Sequence, residues 1–517
     1  MGKLRIIGLF LFGLGFGLLV SELSMSEYQL TNRALTKAVT NPTHLELISP
    51  RVEGMLGQRF TSKTEFIRGY QKAFNAINSE FKSAGEWDRV IWTDYTFNVV
   101  KQSSTGILID KYYGLFGLVF LMVVLGALLY IFASKLARPP GIDHNDIFLD
   151  PMKTRGWLGI ITGIGLILFY IALYWYPEYI TNWVILLDPL SLALSGNEAS
   201  QWFLYGFLYC VVMVVMGIRM ILKYRHNKYQ LIRTFSVIFF QISFAFLLPE
   251  ILVRLNQPYY DFKNIWPLDY DFFFDWNMNH LLASGGLGLF MLVWGIVLFA
   301  VSVPILVYFY GKRWYCSWVC GCGGLAETLG DPFRQLSDKS LKAWKFERIS
   351  VHLVLVFAVL MTGMTLYSFF SGDTEVFGVS TYNVQKSYGF LIGAVFSGVV
   401  GTGFYPIMGN RVWCRFGCPL AAYMGMIQKF KSRFRITTNG GQCISCGNCS
   451  TYCEMGIDVR WYAQRGQNIV RSSCVGCGIC SAVCPRGVLN LENGPEKGRI
   501  NDNPIIIGQK HAFLDLK

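Results

Sequence analysis

Apolar residues along the chain do not alternate with polar ones at short period; they gather into runs of about twenty separated by polar loops. Eight such runs, at 6–20, 112–132, 157–176, 202–222, 234–253, 281–310, 349–370 and 390–408, are read as membrane-spanning helices. A helix needs about 20 predominantly apolar residues to cross a hydrocarbon core. The run at 6–20 follows basic Met1–Arg5, and no Ala-x-Ala-like site follows it, so it is read as an uncleaved first span. Residues 22–111 are polar by contrast. Within them Phe66, Tyr70, Phe74, Ile77 and Phe81 recur at helical spacing and predict an amphipathic helix packed in an extracytoplasmic segment.

Composition agrees with that pattern. The 517 residues are 53% hydrophobic and 15% charged, against the quarter or so charged in ordinary soluble domains. The net charge of +13 does not point to nucleic acid, because the Lys and Arg residues lie in short loops beside apolar runs. Lys135, Arg138, Lys153 and Arg155 share one loop, and Lys223, Arg225, Lys228 and Arg233 the next. The intervening loop 177–201 has neither Lys nor Arg, and loops 256–280 and 371–389 hold only Lys263 and Lys386. The positive-inside rule then places both termini in the cytoplasm, with the cysteine-rich end on the reducing side. Ala394, Gly398 and Thr402 recur every four residues and are expected to let helices approach closely.

The fourteen cysteines carry the chemistry. Cys210 sits alone in an apolar run and reads as a small hydrophobe. Near the C-terminus, Cys443, Cys446, Cys449 and Cys453 form a C-x₂-C-x₂-C-x₃-C run, and Cys474, Cys477, Cys480 and Cys484 (followed by Pro485) repeat it. This is the ligand spacing of a two-cluster bacterial ferredoxin, in which the fourth Cys of each run serves the other cluster. Cys443, Cys446, Cys449 and Cys484 are therefore assigned to one [4Fe–4S] cluster. Cys474, Cys477, Cys480 and Cys453 are assigned to the second. Structural zinc sites and disulfides are the alternatives, and zinc sites do not need a third and fourth Cys so close.

A second set lies at the ends of apolar runs. Gly311-Lys-Arg313-Trp-Tyr-Cys316-Ser-Trp-Val-Cys320-Gly321-Cys322 resembles Gly409-Asn-Arg411-Val-Trp-Cys414-Arg-Phe-Gly-Cys418-Pro419, displaced by 98 residues (414 − 316). If helical, each C-x₃-C presents two thiols one turn apart on one face. Two such faces offer enough thiolates for a third Fe–S centre, with Cys322 as an extra ligand or a substitute for Cys320. Redox-active thiols and buried structural cysteines are the competing readings.

These motifs together resemble the NosR/NapH-type membrane polyferredoxins over roughly residues 281–490. The resemblance implies membrane-bound electron transfer, quinol as a donor, and a respiratory or maturation partner. It carries onto Cys414, Cys418 and Pro419 directly, and onto Cys316 and Cys320 with Gly321 in place of Pro. It also sets a contrast, because NosR-like members attach FMN to a Thr in an outer domain. Ser103-Ser104-Thr105-Gly106-Ile107-Leu108 lacks that acceptor, so no covalent FMN is expected. No haem is expected either: of His44, His144, His226, His280, His352 and His511, only His280 and His352 border spans, and at opposite membrane faces. Glu250 and Arg254, near Asp275 and His280, read as an interfacial ion pair or as a quinone or proton site. Lys429, Lys431, Arg433 and Arg435 read as an anchor for anionic lipid or a docking strip for an acidic partner.

The expectation is thus a polytopic all-α protein of the bacterial cytoplasmic membrane with a C-terminal α+β ferredoxin-like dicluster domain. Its divisions are a signal-anchor helix at 1–21, an extracytoplasmic segment at 22–111, a helical membrane domain at 112–436, the dicluster domain at 437–492 and a tail at 493–517. It would serve as an electron-transfer subunit between a quinone pool or redox partner and a cytoplasmic-side partner, with no catalytic residue of its own. A thiol- or metal-reducing assembly factor and a membrane redox sensor are the alternatives.

Overall fold

The computed structural model describes residues 2–141 and 154–494. His144, Lys153, His511 and nearly all of the expected tail lie outside the described residues. The chain forms two compact units, Met1–Ala137 with Ile171–Leu208, and Arg138–Tyr170 with Tyr209–Lys517.

In the first unit, helices Gly2–Ser21 and Tyr112–Lys135 run side by side. Their approach depends on glycine. A Cβ added at Gly126 would stand 2.4 Å from the Phe12 nitrogen, and one at Gly8 would stand 2.7 Å from the Tyr130 nitrogen. Small residues allow this closeness where lipid supplies no hydrophobic drive. The outward side chains, such as Ile6, Phe10 and Leu121, are exposed, as lipid-facing positions are.

The polar segment between these helices has its own core. A small antiparallel sheet runs Arg59–Phe60, Glu27–Gln29, Ser104–Thr105, with Tyr28 opposite both Phe60 and Ser104. The expected amphipathic helix spans Lys63–Ser83 and buries Phe66, Tyr70, Phe74 and Ile77, while Phe81 is half-buried. It starts at Ser62, whose hydroxyl accepts from the Glu65 N–H, a Ser-x-x-Glu capping pattern. Hydropathy shows residues 177–200 only as a gap between spans, yet they complete this unit. Tyr28 donates to Asn182 (3.1 Å), and buried Lys101 reaches Asp188 (2.8 Å).

The second unit is a helical bundle capped by the cysteine-rich segment. Across the described residues seven helices are long and apolar enough to cross a membrane: Gly2–Ser24, Tyr112–Lys135, Trp157–Trp175, Gln201–Lys223, Lys228–Arg254, Gly285–Tyr310 and Leu341–Ser371. The eighth expected run, 390–408, departs from the expectation. It is wound as a π-helix over Gly389–Val400, continues through Gly401–Gly403, breaks at Phe404 and restarts as Tyr405–Met408. The cause is local, since Pro406 cannot continue the preceding helix and the run is dense in glycine. Its small residues Ala394, Gly398 and Thr402 are buried, as expected of a packing face. A Cβ on Gly403 would strike Ile167, and the Tyr170 hydroxyl donates to Thr402 (3.2 Å).

The C-terminal segment has an antiparallel pair, Arg435–Thr438 with Leu489–Glu492, registered Ile436 to Leu491 and Thr438 to Leu489. Between them are short helices, two of which repeat each other. Asn448–Thr451 and Ile479–Ala482 each follow a left-handed glycine, Gly447 or Gly478, and each carry the third Cys of their run.

Candidate iron–sulfur centres

Each ferredoxin-type run has its left-handed glycine, Gly447 or Gly478, between the second and third Cys, and its first three Cys line one cavity while the fourth lines the other. One cavity is lined by Cys443, Cys446, Cys449 and Cys484, the second by Cys453, Cys474, Cys477 and Cys480. The two foursomes are the crossed sets expected from spacing. All fourteen cysteines are free thiols. Among the described residues no three His, Cys, Asp or Glu side chains close on a single ion; the thiols stand around a space instead. Four thiols around an apolar hollow fit an iron–sulfur cube in donor chemistry.

The cavities differ in setting. Cys446 is exposed and Cys443 and Cys484 are half-buried, so the first lies near the surface. The second is walled by Ile436, Met455, Ile457, Val459, Ile469 and Val475. Burial pushes Cys474 up to about 11 and Cys477 up to about 12. A thiol so placed is costly to ionise unless a cation takes the place of its proton, as iron does.

The membrane-proximal motifs correct one expectation. Neither C-x₃-C is a continuous helix. A short helix, Arg313–Cys316 or Val412–Phe416, ends at or just after the first Cys, and the second Cys has extended backbone and caps the next helix, Gly321–Thr328 or Pro419–Lys431. The corner is closed by matching bonds, Cys320 N–H to the Tyr315 carbonyl (2.8 Å) and Cys418 N–H to the Trp413 carbonyl (2.9 Å). Each thiol pair therefore sits on a helix–corner–helix. Gly311 and Gly409, both at positive φ, turn the chain into it.

Gly321 takes the first helical position that Pro419 takes in the other copy. A Cβ there would meet the Gln241 Oε1 at 3.0 Å and the Tyr209 hydroxyl at 3.2 Å, which leaves no room for a proline ring. Gln241 sits in the π-wound stretch Phe240–Leu247 and donates to the Val319 carbonyl (2.5 Å). The departure from Cys-Pro thus has a steric cause.

Cys316, Cys320, Cys414 and Cys418 are all buried in one core, close enough to influence one another's ionisation. Cys322, half-buried, stands close enough to Cys320 that their interaction lowers Cys320 to about 6 and raises Cys322. Arg411 touches both motifs, its Nη1 standing 3.6 Å from the Cys414 Sγ and 3.2 Å from the Cys316 carbonyl.

Arg411 also opens a buried ionic network that sequence reasoning missed. Its Nη2 pairs with Glu327 and, at 3.1 Å, with Glu454, the residue after Cys453. Arg334 pairs with Glu454 and Asp331, Arg233 with Glu327, and Arg219 and Lys223 with Asp331. Five cations thus meet three carboxylates, leaving positive charge beside the thiols. The signal available in sequence was the Gly-x-Arg preceding both C-x₃-C copies. Its first copy serves otherwise, with Arg313 lying over the Phe434 ring (5.0 Å).

The second cavity is fixed to the helix ends through its backbone. Tyr229 donates to the Gly476 carbonyl (2.7 Å), Gln230 to Cys477 (2.8 Å), Ser317 to Val475 (2.7 Å) and Gln428 to Cys474 (2.7 Å). Other residues singled out from sequence stand apart from these centres. Glu250 and Arg254 lie on helix Leu248–Arg254, and Asp275 and His280 on helix Asp275–Ala283. Ser104–Thr105 is an edge strand of the first unit's sheet. His352, whose Nδ1 bonds the Arg348 carbonyl (2.6 Å), is the exception, since it lines a cavity with Cys414.

Residues 442–489 match a family model described as a 4Fe-4S dicluster domain. Residues 288–340 and 389–437 match one described as a 4Fe-4S binding domain, so each C-x₃-C corner lies in a matched stretch. The Escherichia coli (strain K12) protein named Putative electron transport protein YccM is 27% identical over 193 residues, 35% of this chain and 52% of that protein. The chain therefore spans about half the length of this curated relative. No solved structure matches.

Proposed function

We propose that the chain is an integral-membrane iron–sulfur electron carrier, a subunit of an oxidoreductase system. The carrying observation is the pair of cavities, each ringed by four cysteines drawn from both runs. Cys443, Cys446, Cys449 and Cys484 would hold one [4Fe–4S] cluster, and Cys453, Cys474, Cys477 and Cys480 the other. Cys316, Cys320, Cys414 and Cys418 would hold a third Fe–S centre, with Cys322 in reserve; the family match over both corners supports this. Bound clusters supply one-electron exchange. The chain's own part is to hold the thiolates, to balance their charge with Arg411 and its network, and to exclude water with the apolar walls.

The exposed first cavity suits a cytoplasmic-side protein partner, and the buried corners at the helix ends suit exchange with a quinone pool or membrane partner. Membrane orientation follows the same reading. Cys316 and Cys414 meet in one core, so the chain leaves through Leu341–Ser371 and returns through the broken run ending at Met408. That return restores the even number of crossings and puts both termini in the cytoplasm of a bacterial cell. The nearness of the Cys320 and Cys322 thiols, two residues apart and each acting on the other's ionisation, favours a second reading, a dithiol that reduces a partner.

Iron and acid-labile sulfide on the purified chain test the proposal. About twelve iron atoms are expected for three four-iron clusters, falling to about eight in Cys414→Ala/Cys418→Ala. Equal iron in the variant removes the third centre, and iron unaffected by Cys474→Ser removes the proposal.

A further inference from the structure

A third cavity, at the foot of helix Leu341–Ser371, is distinct from the two ferredoxin cavities and borders the membrane-proximal thiols only at Cys414. Lys312, Glu347, Arg348, His352, Cys414 and Arg415 line it. Its charge is unbalanced, with three fixed cations against Glu347. That carboxylate is already bound to the Arg415 Nε (2.7 Å), and the Arg415 Nη1 is bound to the Asp338 carbonyl (2.6 Å). The Arg415 Nη2 is buried without a hydrogen-bond partner, in a side chain 3% exposed. Lys312, 2% exposed, has one carbonyl, Ala421 at 3.3 Å, and no carboxylate, its other polar neighbours being the Cys316 and Cys474 thiols. Buried donors of this kind call for an acceptor, and the surplus positive charge calls for an anion.

The surroundings say where the anion comes from. Ile349, Leu353 and Val356 on the same helix are exposed apolar side chains, while Val351 and Leu355 pack on Ala422 beside the cavity. Trp344 lies between Arg348 (5.1 Å) and Arg471 (4.8 Å), the aromatic and cationic dress of a membrane interface. We infer that this cavity binds the phosphate of an anionic phospholipid, whose acyl chains lie along the exposed apolar face of the helix. Basic pockets between helices at this level suit such head groups. A neutral quinone ring would offer acceptors but leave the charge unbalanced. The inference rests on the membrane placement of this helix, and lipid retention is read separately from iron content.

Native mass spectrometry of the detergent-purified full chain, with phosphatidylglycerol or phosphatidylcholine added, tests it. Phosphatidylglycerol should be retained one per chain and at least ~tenfold more strongly than phosphatidylcholine, the preference expected when buried cations face a phosphate. Lys312→Gln and Arg348→Gln should each reduce that retention ~tenfold, the loss of one charge-assisted contact, and Arg348→Lys should restore part of it. Arg348 is exposed, so its variant keeps the test available if Lys312→Gln fails to fold. Equal retention of the two lipids, or undiminished retention by Arg348→Gln, overturns the inference. So does displacement of phosphatidylglycerol by millimolar inorganic phosphate or by a neutral short-chain quinone.

Discussion

At the scale of single residues, position in sequence is a poor guide to which thiols act together. Cys484 lies 41 residues from Cys443 (484 − 443) and Cys453 lies 21 from Cys474 (474 − 453), yet the cavities pair them this way. Cys484→Ser should therefore abolish the same electron paramagnetic resonance signal as Cys443→Ser, and Cys453→Ser the same one as Cys474→Ser. Matching losses within each run, in place of across runs, would refute the crossed assignment. Arg411 makes a second prediction. It neutralises Glu327 and Glu454 from a position with no exposure. Removing one partner of a buried ion pair costs about 3–5 kcal/mol, so Arg411→Met should lower the unfolding midpoint substantially, and Arg411→Lys less. Less positive charge beside Cys414 should also move the proposed third centre to lower reduction potential, read by redox titration of its signal. The cysteine runs were legible in the sequence because ligand spacing is local. The network was not, because Arg233, Glu327, Arg411 and Glu454 come from four separate elements and nothing local marks their meeting.

At the scale of elements, helix periodicity was legible and the exceptions came from packing. The helix Lys63–Ser83 and its buried stripe follow directly from the recurrence of Phe66, Tyr70, Phe74 and Ile77. The C-x₃-C corners do not, since three residues between thiols suit a helix equally well until the widened five-residue bonds to Tyr315 and Trp413 are seen. Contact between Gly2–Ser21 and Tyr112–Lys135 predicts that Gly126→Leu, which places a side chain against the Phe12 backbone, separates the pair. Overpacking of this kind costs about 1–3 kcal/mol or more, measurable as a lowered thermal midpoint; an unchanged midpoint would mean the helices do not pack this way. Lys63 gives a pH dependence outside the membrane helices. Burial lowers it from 10.5 to about 7. Between those values the unfolded chain holds a proton that the folded one lacks, so stability rises with pH from about 7 to 10.5 and the penalty is full below 7. Lys63→Met should flatten that slope in denaturant unfolding followed from pH 6 to 10.

At the scale of the whole molecule, the cysteine-rich segment is seated on the helix ends of its own unit by four side chains that bind the Cys474–Cys477 backbone. Such seating makes the second cavity a continuation of the bundle and leaves the first facing outward. The proposed topology predicts that reporter fusions after residues 227 and 494 read as cytoplasmic, and one after 378 as external. An external reading at 494 together with one at 378 would mean that the broken run does not return across the membrane and would separate Cys414 from Cys316.

Length of apolar runs and spacing of cysteines were set by the sequence alone. Both express constraints that act within one segment, the thickness of a bilayer and the reach of a short loop around a cube. Tertiary structure decided the rest. It broke the eighth run at Pro406, bent each C-x₃-C into a corner, and gathered five cations and three carboxylates beside the thiols. It also left the Arg415 Nη2 buried without an acceptor, in a side chain that lines a cavity with Lys312. These features depend on which distant side chains are brought together out of water, and only packing in three dimensions determines that.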